Sequence, residues 1–219
     1  MEILAHRGYW RRPEEKNTLP AFKRALKLGY GIELDLRDCN GSLVISHDPP
    51  LPTRKLLQWS QFLGLYQGTC SARTIRPTIA VNIKANGLAQ MVWKTIPPTW
   101  RENFFFFDMA APDALPYLRL SATVFTRHSE LEPVPAYYAE AQGVWMDEFA
   151  QSWISDAAMR AHVRRGKKLC LVSPELQRRP HRVTWARWRS QWRPWRPAAR
   201  EKLLLCTDFP EKAAAFFKV

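Results

Sequence analysis

Two acidic side chains stand in an apolar run of the sequence, with a histidine on either side. Glu33 and Asp35 alternate with aliphatic residues in the run 32–36, while His6 precedes the run and His47 follows it. Alternate residues of a β-strand point to the same face, roughly 7 Å apart. The spacing therefore predicts two neighbouring carboxylates on one face of a strand and apolar side chains on the other.

Two buried carboxylates repel each other unless a cation joins them. A hard divalent cation, Mg²⁺ or Ca²⁺, is the favoured interpretation because it prefers carboxylate oxygens, and Arg7 or Lys84 is the alternative cation. Histidine is the side chain that ordinarily serves as acid or base near neutral pH, so His6 and His47 suit a general acid and a general base. Arg7 and Lys84 can also bind a phosphoryl oxygen. Together these groups predict cleavage of a phosphodiester.

Short apolar runs that alternate with helix-like segments must position these side chains. Counting 43–46 as a second arm of the second unit, the runs make eight β units: 2–5, 32–36 with 43–46, 79–83, 104–107, 123–126, 144–146, 169–172 and 203–206. Alternating strands and helices over this length favour an α/β fold. We expect a compact (β/α)₈ TIM-type barrel with parallel strands, formed by one domain over residues 1–219.

Most of the apolar runs end in a polar or ionisable residue. In a parallel barrel the carboxyl ends of the strands face one mouth, where active sites are built. For the later ends, the ordinary polarity of loops explains the pattern equally well. The residues at these ends are His6, Arg7, Asp35, His47, Lys84, Asp108, Arg127, Asp147, Glu148, Glu175 and Asp208.

A helix is predicted between the first two strands. Thr18 is expected to cap it, Pro20 falls in its first turn, and Gly29 is expected to end it. The apolar stripe of Phe22 and Leu26 would face the core.

The first quarter of the sequence resembles the glycerophosphodiester phosphodiesterase family. The motifs are His6-Arg7-Gly8, the stretch 13–18 (PEEKNT), Glu33-x-Asp35, Gly41 and His47-Asp48. The resemblance implies a TIM-type barrel with a metal-dependent site, in which His6 and His47 are the acid and base. It further implies that Arg7 binds phosphate and that Glu33 and Asp35 are metal ligands. Water or a neighbouring substrate hydroxyl would then attack phosphorus.

The loop before the first helix departs from the family pattern. The family usually has Pro-Glu-Asn-Thr, whereas Glu15 and Lys16 are additional here, between Glu14 and Asn17. Either Glu14 or Glu15 is therefore expected to serve as the acid of this loop.

The third strand also departs from the family, which usually has Glu-x-Lys at this place. Here the residues are Asn82-Ile83-Lys84. Asn82 can offer a carbonyl oxygen as a third metal ligand, but the site then has one negative charge fewer. We expect weaker metal binding, or a further acid from Asp108 or Glu175.

The net charge of +13 predicts attraction to anionic substrates or surfaces. The segment 182–196 adds tryptophans at helical spacing with arginines between them. A helix that packs its tryptophans on the barrel wall is the favoured interpretation. The alternative is an interfacial element that binds anionic lipid headgroups, and nucleic-acid binding is not expected because no known module is recognisable. The tryptophans are Trp185, Trp188, Trp192 and Trp195.

The first residues lack a basic leader and an apolar core of a signal peptide, so we expect a cytoplasmic protein. The four cysteines, at 39, 70, 170 and 206, have no metal-site spacing and are expected to be buried free thiols. His128, His162 and His181 are expected to be structural hydrogen-bonding residues.

Three functions remain open from the sequence. The first is a metal-dependent phosphodiesterase acting on a small glycerophosphodiester-like substrate. The second is a barrel that binds a phosphorylated ligand without turnover, because Asn82 weakens the metal site. The third is a basic membrane- or nucleic-acid-associated protein, which would have no need of the Glu33 and Asp35 pair.

Overall fold

The computed structural model describes residues 1–51, 55–71, 73 and 75–218. These residues form two compact units. The first unit is Leu4–Val124, and the second combines Met1–Ile3 with the chain from Phe125 onward. The single domain over 1–219 stays a prediction.

The first unit contains a parallel sheet with an antiparallel extension. Strand β1 pairs with β2, β2 with β5, and β5 with β6, all in parallel. Strand β3 pairs antiparallel with β2 and with the short β4, which was not predicted. The strands are β1 (Glu2–His6, whose first two residues belong to the second unit), β2 (Gly31–Cys39), β3 (Ser42–Ile45), β4 (Leu57–Gln58), β5 (Ile79–Ile83) and β6 (Phe104–Phe107). The helices are α1 (Leu19–Lys27), α2 (Trp59–Cys70), α3 (Ala89–Thr95) and α4 (Ala111–Arg119), with 3₁₀ turns at Pro13–Glu15 and Pro98–Asn103.

The second unit continues the strand–helix alternation. Its strands pair in chain order and in parallel. They are β7 (Phe125–His128), β8 (Gly143–Met146), β9 (Lys168–Val172) and β10 (Leu203–Thr207). The helices are α5 (Asp156–Arg164), α6 (Arg182–Trp192), α7 (Pro197–Arg200) and α8 (Pro210–Phe217), with a 3₁₀ turn at Pro174–Gln177.

The predicted parallel strands are present at every one of the eight units. Strands β5 and β6 have the predicted bounds. The predicted strand 123–126 is displaced, because the strand occupies Phe125–His128 and Val124 precedes it in an isolated bridge to Phe106.

Helix α1 packs an apolar stripe onto the sheet, as predicted. Phe22 and Leu26 are fully buried, and Gly29 ends the helix with a φ of 81°. Thr18 precedes the helix, but the prediction that its side chain caps the helix is wrong, because it makes no capping hydrogen bond to the described residues. Its hydroxyl instead donates to the carbonyl of Glu15 at 2.6 Å.

The cysteines are free thiols, and three of them are buried as predicted: Cys70, Cys170 and Cys206. Cys39 is only half-buried, because it lies at the outer end of β2. In the part of the chain that the structure describes, no helix is long and apolar enough to cross a membrane.

Candidate active site

The side chains of the candidate site form rows across adjacent strands. On β2, Glu33 and Asp35 share one face because they are two residues apart. The parallel register places His6 of β1 beside Glu33 and Asn82 of β5 beside Asp35. The predicted residues of these three strands are therefore brought together, at the carboxyl ends where parallel α/β sheets hold their sites.

Asp35 is fully buried and surrounded by cationic and amide groups. Its Oδ2 lies 2.9 Å from Arg7 Nε and accepts a hydrogen bond from Asn17 Nδ2 at 2.8 Å. Its Oδ1 lies 3.9 Å from Lys84 Nζ, beyond hydrogen-bonding distance. The sequence left Arg7 or Lys84 open as the cation beside the carboxylates, and both contribute in this structure.

Glu33 is also buried but has weaker partners. Its Oε2 accepts a hydrogen bond from the main-chain N–H of Arg7 at 3.2 Å and lies 3.8 Å from His6 Nε2. Burial, followed by the neighbouring Asp35 charge, raises the pKa of Glu33 to about 7, although nearby cations oppose this rise. Without a further cation, Glu33 therefore keeps its proton to a higher pH than an ordinary glutamate does.

A sharp turn after β1 directs both ends of Arg7 at the carboxylates. Arg7 adopts a φ of 56° and Gly8 a φ of 86°. A Cβ at Gly8 would lie 2.9 Å from Ala21, so the position requires glycine for space as well as for conformation. The turn lets the main-chain N–H of Arg7 reach Glu33 while its guanidinium reaches Asp35.

Left-handed backbone recurs at two further residues of the site. Asn17 has a φ of 58° and Asp108 a φ of 68°. Such conformations cost energy in residues other than glycine and concentrate at functional sites. Here they hold the Asn17 amide on Asp35 and the Asp108 carboxylate on Lys84, whose Nζ lies 2.8 Å from Asp108 Oδ2.

His47 is half-exposed, in contrast to the buried carboxylates. It follows β3, and its Nδ1 lies 2.8 Å from Asp48 Oδ1. Its side chain is 47 % exposed, whereas that of His6 is 13 % exposed. His6 thus lies 3.8 Å from Glu33, while His47 lies at the solvent-facing edge of the site.

The oxygens of this site fit a hard cation in part. Asp35 Oδ1 and Asn82 Oδ1 are buried and accept no hydrogen bond from any described residue, and they belong to register neighbours on β2 and β5. Within the described residues, however, there is no cluster of three histidine, cysteine or acidic side chains that could hold a metal. The two unpartnered oxygens, with Glu33, are the donor set available to a divalent cation.

Two of the additional acids considered from the sequence, Glu15 and Glu175, are engaged elsewhere. Glu15 Oε2 pairs with Arg24 Nη2 and accepts the Arg11 main-chain N–H, whereas Glu14 is exposed. Glu175, in the second unit, accepts bonds from the Thr207 hydroxyl and other donors of that unit. Asp108 is the acid that joins the site, through Lys84.

The other histidines make structural contacts, and the predicted hydrogen bonds are present for His128 and His162. His162 Nε2 lies 2.9 Å from His128 Nδ1, and its Nδ1 lies 2.7 Å from the Tyr138 hydroxyl. His181 packs against Trp185 with 4.3 Å between ring centroids and lies 3.7 Å from a Glu175 oxygen.

The tryptophans of segment 182–196 lie inside the second unit. All four are nearly or fully buried: Trp185, Trp188, Trp192 and Trp195. Trp185 Nε1 donates to the Ser173 hydroxyl at 2.7 Å and Trp195 Nε1 to Asp156 at 2.8 Å. The favoured interpretation, in which the tryptophans pack against the interior, is confirmed by this burial, and nothing in it supports the interfacial alternative. Helix α6 ends at Trp192, two residues before Pro194.

Two functional contacts were not anticipated from the sequence. Asn17 appeared only as part of a motif, yet it brackets Asp35 by donating to its carboxylate and lying 3.4 Å from its main-chain N–H. Arg37 lies on the same face of β2 as the two acids and was overlooked. Its position two residues beyond Asp35 was the signal that could have indicated it.

Comparison with known proteins identifies the fold. No family model and no curated protein matches the sequence. The glycerophosphodiester phosphodiesterase of Agrobacterium tumefaciens is 16% identical, with a TM-score of 0.66 over 98% of this chain and 99% of that one. The glycerophosphoryl diester phosphodiesterase of Parabacteroides distasonis is 12% identical, with a TM-score of 0.64 over 99% and 86%.

A third solved structure extends the likeness to phospholipases. The Ca²⁺-dependent phosphatidylinositol-specific phospholipase C of Streptomyces antibioticus is 14% identical, with a TM-score of 0.61 over 99% of this chain and 95% of that one. At these identities the likeness shows the fold alone. The chain thus has the α/β TIM-type fold of these phosphodiesterases, and the predicted fold class is confirmed.

Proposed function

We propose that this chain belongs to the glycerophosphodiester phosphodiesterase family and hydrolyses a small phosphodiester in a metal-dependent reaction. The observation that carries the proposal is the buried pair of Glu33 and Asp35. His6 lies 3.8 Å from Glu33, and Arg7 lies 2.9 Å from Asp35. Solved structures with the same fold are phosphodiesterases by name. A cytoplasmic location remains part of the proposal.

Glu33, Asp35 and Asn82 would hold the divalent cation, Mg²⁺ or Ca²⁺. The unpartnered oxygens of Asp35 and Asn82 support this assignment, as does the pKa of Glu33 near 7, because a cation would favour its ionised form. When bound, such a cation supplies charge stabilisation to a phosphoryl oxygen.

His6 and His47 would exchange protons with the substrate as acid and base. His6 lies within ion-pair distance of Glu33, whose Oε2 is 3.8 Å from its Nε2. His47 is the more exposed of the two, which suits proton exchange with water or a departing alcohol.

Arg7 and Lys84 would bind the phosphate. Each keeps 21 % of its side chain exposed, so each can contact a substrate while it remains near Asp35. Lys84 shared between Asp35 and Asp108 presents an oriented positive charge, as phosphate binding requires.

A barrel that binds a phosphorylated ligand without turnover is the second candidate. It is favoured by the ion pairs already present, because Arg7 and Lys84 partly neutralise Asp35 without a metal. Asn82 in place of an acid works in the same direction.

Hydrolysis of glycerophosphocholine and of bis(4-nitrophenyl) phosphate tests the proposal. Both substrates are assayed with Mg²⁺, with Ca²⁺ and with chelator. We expect metal-dependent turnover, and a loss of about 10²- to 10⁴-fold in His47→Ala. Lys84→Met should raise KM, whereas the exposed Lys94→Met on α3 is the matched control and should not.

The two candidates give different results in this experiment. Absence of turnover under every metal condition, with a phosphate monoester still bound in calorimetry, would favour the second candidate. If no divalent cation binds either, the metal-dependent mechanism is refuted.

A further inference from the structure

Arg37 follows Glu33 and Asp35 on the same face of strand β2. It lies two residues beyond Asp35 on β2, and the paired register of β2 with β5 ends one residue before it, at Leu36 opposite Ile83. The main-chain N–H of Lys84 donates to the carbonyl of Leu36 at 2.9 Å, which joins the two strands at this point.

The guanidinium of Arg37 contacts two main-chain carbonyls. Its Nε donates to the His47 carbonyl at 3.0 Å, and its Nη1 donates to the Lys84 carbonyl at 2.7 Å. Arg37 makes no ion pair within the described ranges, although it lies beside an acidic site. Its hydrogen bonds therefore connect backbone to backbone rather than neutralise a carboxylate.

The two carbonyls belong to residues that lie just beyond the ends of their strands, where no strand pairing connects them. Lys84 follows the last residue of β5, and His47 follows β3 by two residues. The main chain before His47 is fixed because the Ser46 N–H donates to the Asp35 carbonyl at 3.1 Å. Among the described residues, the hydrogen bond from Arg37 Nε to the His47 carbonyl is the one that fixes the main chain of His47 itself.

We propose that Arg37 is a positioning residue that fixes the His47 main chain relative to Lys84. This inference rests on the proposed function, in which the His47 imidazole and the Lys84 ammonium act on the same phosphate. A planar guanidinium can bridge two fixed carbonyls, because its donors point in set directions. A lysine ammonium at the end of a flexible chain lacks that fork.

The substitution Arg37→Lys tests the inference while keeping the charge. Arg73→Lys is a matched control, since Arg73 Nη2 also contacts two main-chain carbonyls, of Leu26 at 2.8 Å and Lys27 at 3.1 Å. Those carbonyls lie at the end of α1 and belong to no residue of the candidate site. Both substitutions therefore remove hydrogen bonds from an arginine to two main-chain carbonyls. An effect that comes from this loss alone should appear in both variants.

Steady-state kinetics on the diester substrate provide the first measurement. We expect Arg37→Lys to lower kcat by about 10- to 100-fold, because small displacements of a catalytic group have effects of this order. The pH profile of kcat should also shift in Arg37→Lys. Arg73→Lys should leave kcat and its pH profile within about twofold of the unsubstituted protein.

NMR of ¹³C-labelled histidine provides a measurement that needs no turnover. The His47 ring signal is assigned from its loss in His47→Ala. We expect this signal to shift or broaden in Arg37→Lys and to stay unchanged in Arg73→Lys. An unchanged His47 signal in Arg37→Lys, with the same urea midpoint in both variants, would overturn the inference.

The NMR result separates this inference from the proposed function. If the unsubstituted protein hydrolyses no diester, the proposed function fails, and the His47 signal alone decides whether Arg37 positions that residue. If hydrolysis occurs and Arg37→Lys matches Arg73→Lys in kcat and in pH profile, Arg37 has no positioning role.

Discussion

Glu33 should make the metal-free protein less stable as the pH rises. Burial and then the Asp35 charge raise its pKa from an ordinary 4.5 to about 7. Between these two values the folded state binds a proton at Glu33 that the unfolded state has released. The free energy of unfolding therefore falls across this window, because folding must then leave a carboxylate ionised in a buried site.

The size of this effect follows from the difference between the two pKa values. At about 1.4 kcal/mol per pH unit, a rise from 4.5 to about 7 corresponds to about 3 kcal/mol. Glu33→Gln keeps a neutral side chain of similar shape at every pH. The variant should gain stability relative to the unsubstituted protein from pH 4.5 upward, with the gain complete above pH 7.

Urea unfolding in chelator, repeated from pH 4.5 to 8, measures this difference. Subtracting the two proteins removes the titrating groups that do not interact with Glu33. Adding saturating Ca²⁺ or Mg²⁺ above pH 7 should reduce or reverse the difference, because a bound cation stabilises the carboxylate and not the amide. A difference curve that stays flat between pH 4.5 and 7 would refute the reasoning.

Two further predictions concern the second unit. Burial, followed by the charge of His128, lowers the pKa of His162 to about 4, so the free energy of unfolding should fall as the pH drops below about 6.5. In urea unfolding, His162→Gln should lose part of this acid sensitivity, and an unchanged pH dependence would contradict the assignment. Trp188→Ala should cost about 4 kcal/mol because the side chain is wholly buried, whereas the exposed Arg182→Ala should change stability by less than about 0.5 kcal/mol. Equal small effects of the two would contradict the interior position of Trp188.

The elements that were predicted best are those with a local apolar signal. Strand β6 is a continuous apolar run and β5 is an apolar run interrupted by Asn82. Both are buried along their whole length, and their bounds were anticipated. Helix α1 has an amphipathic stripe, a proline in its first turn and a glycine after its end. The two residues of β4 carry no such signal, because β4 forms only by pairing with β3.

The candidate site was predicted in its acids and less well in their partners. Alternation within one strand was enough to place Glu33 and Asp35 on one face. Asn17 reaches Asp35 across 18 residues of sequence, and Arg37 reaches Lys84 across 47. Such contacts depend on strand register and on the turn after β1, which no local pattern specifies.

The tryptophan segment shows a related limit. Its helical spacing predicted that the indoles share a face, but spacing alone does not decide whether that face meets the core or a surface. Packing against the unit decides it, as the hydrogen bonds from Trp185 to Ser173 and from Trp195 to Asp156 illustrate.

The central claim is that Glu33, Asp35 and the two histidines form a phosphodiesterase site. A ³¹P NMR time course with glycerophosphocholine tests it most directly, with Mg²⁺ or Ca²⁺ and with Glu33→Gln and His6→Ala in parallel. We predict that the diester signal converts to a monoester or cyclic phosphate signal with the unsubstituted protein and metal, and stays constant with chelator and with either variant. Equal conversion by the protein and both variants, or a diester signal that stays constant throughout, would contradict the claim.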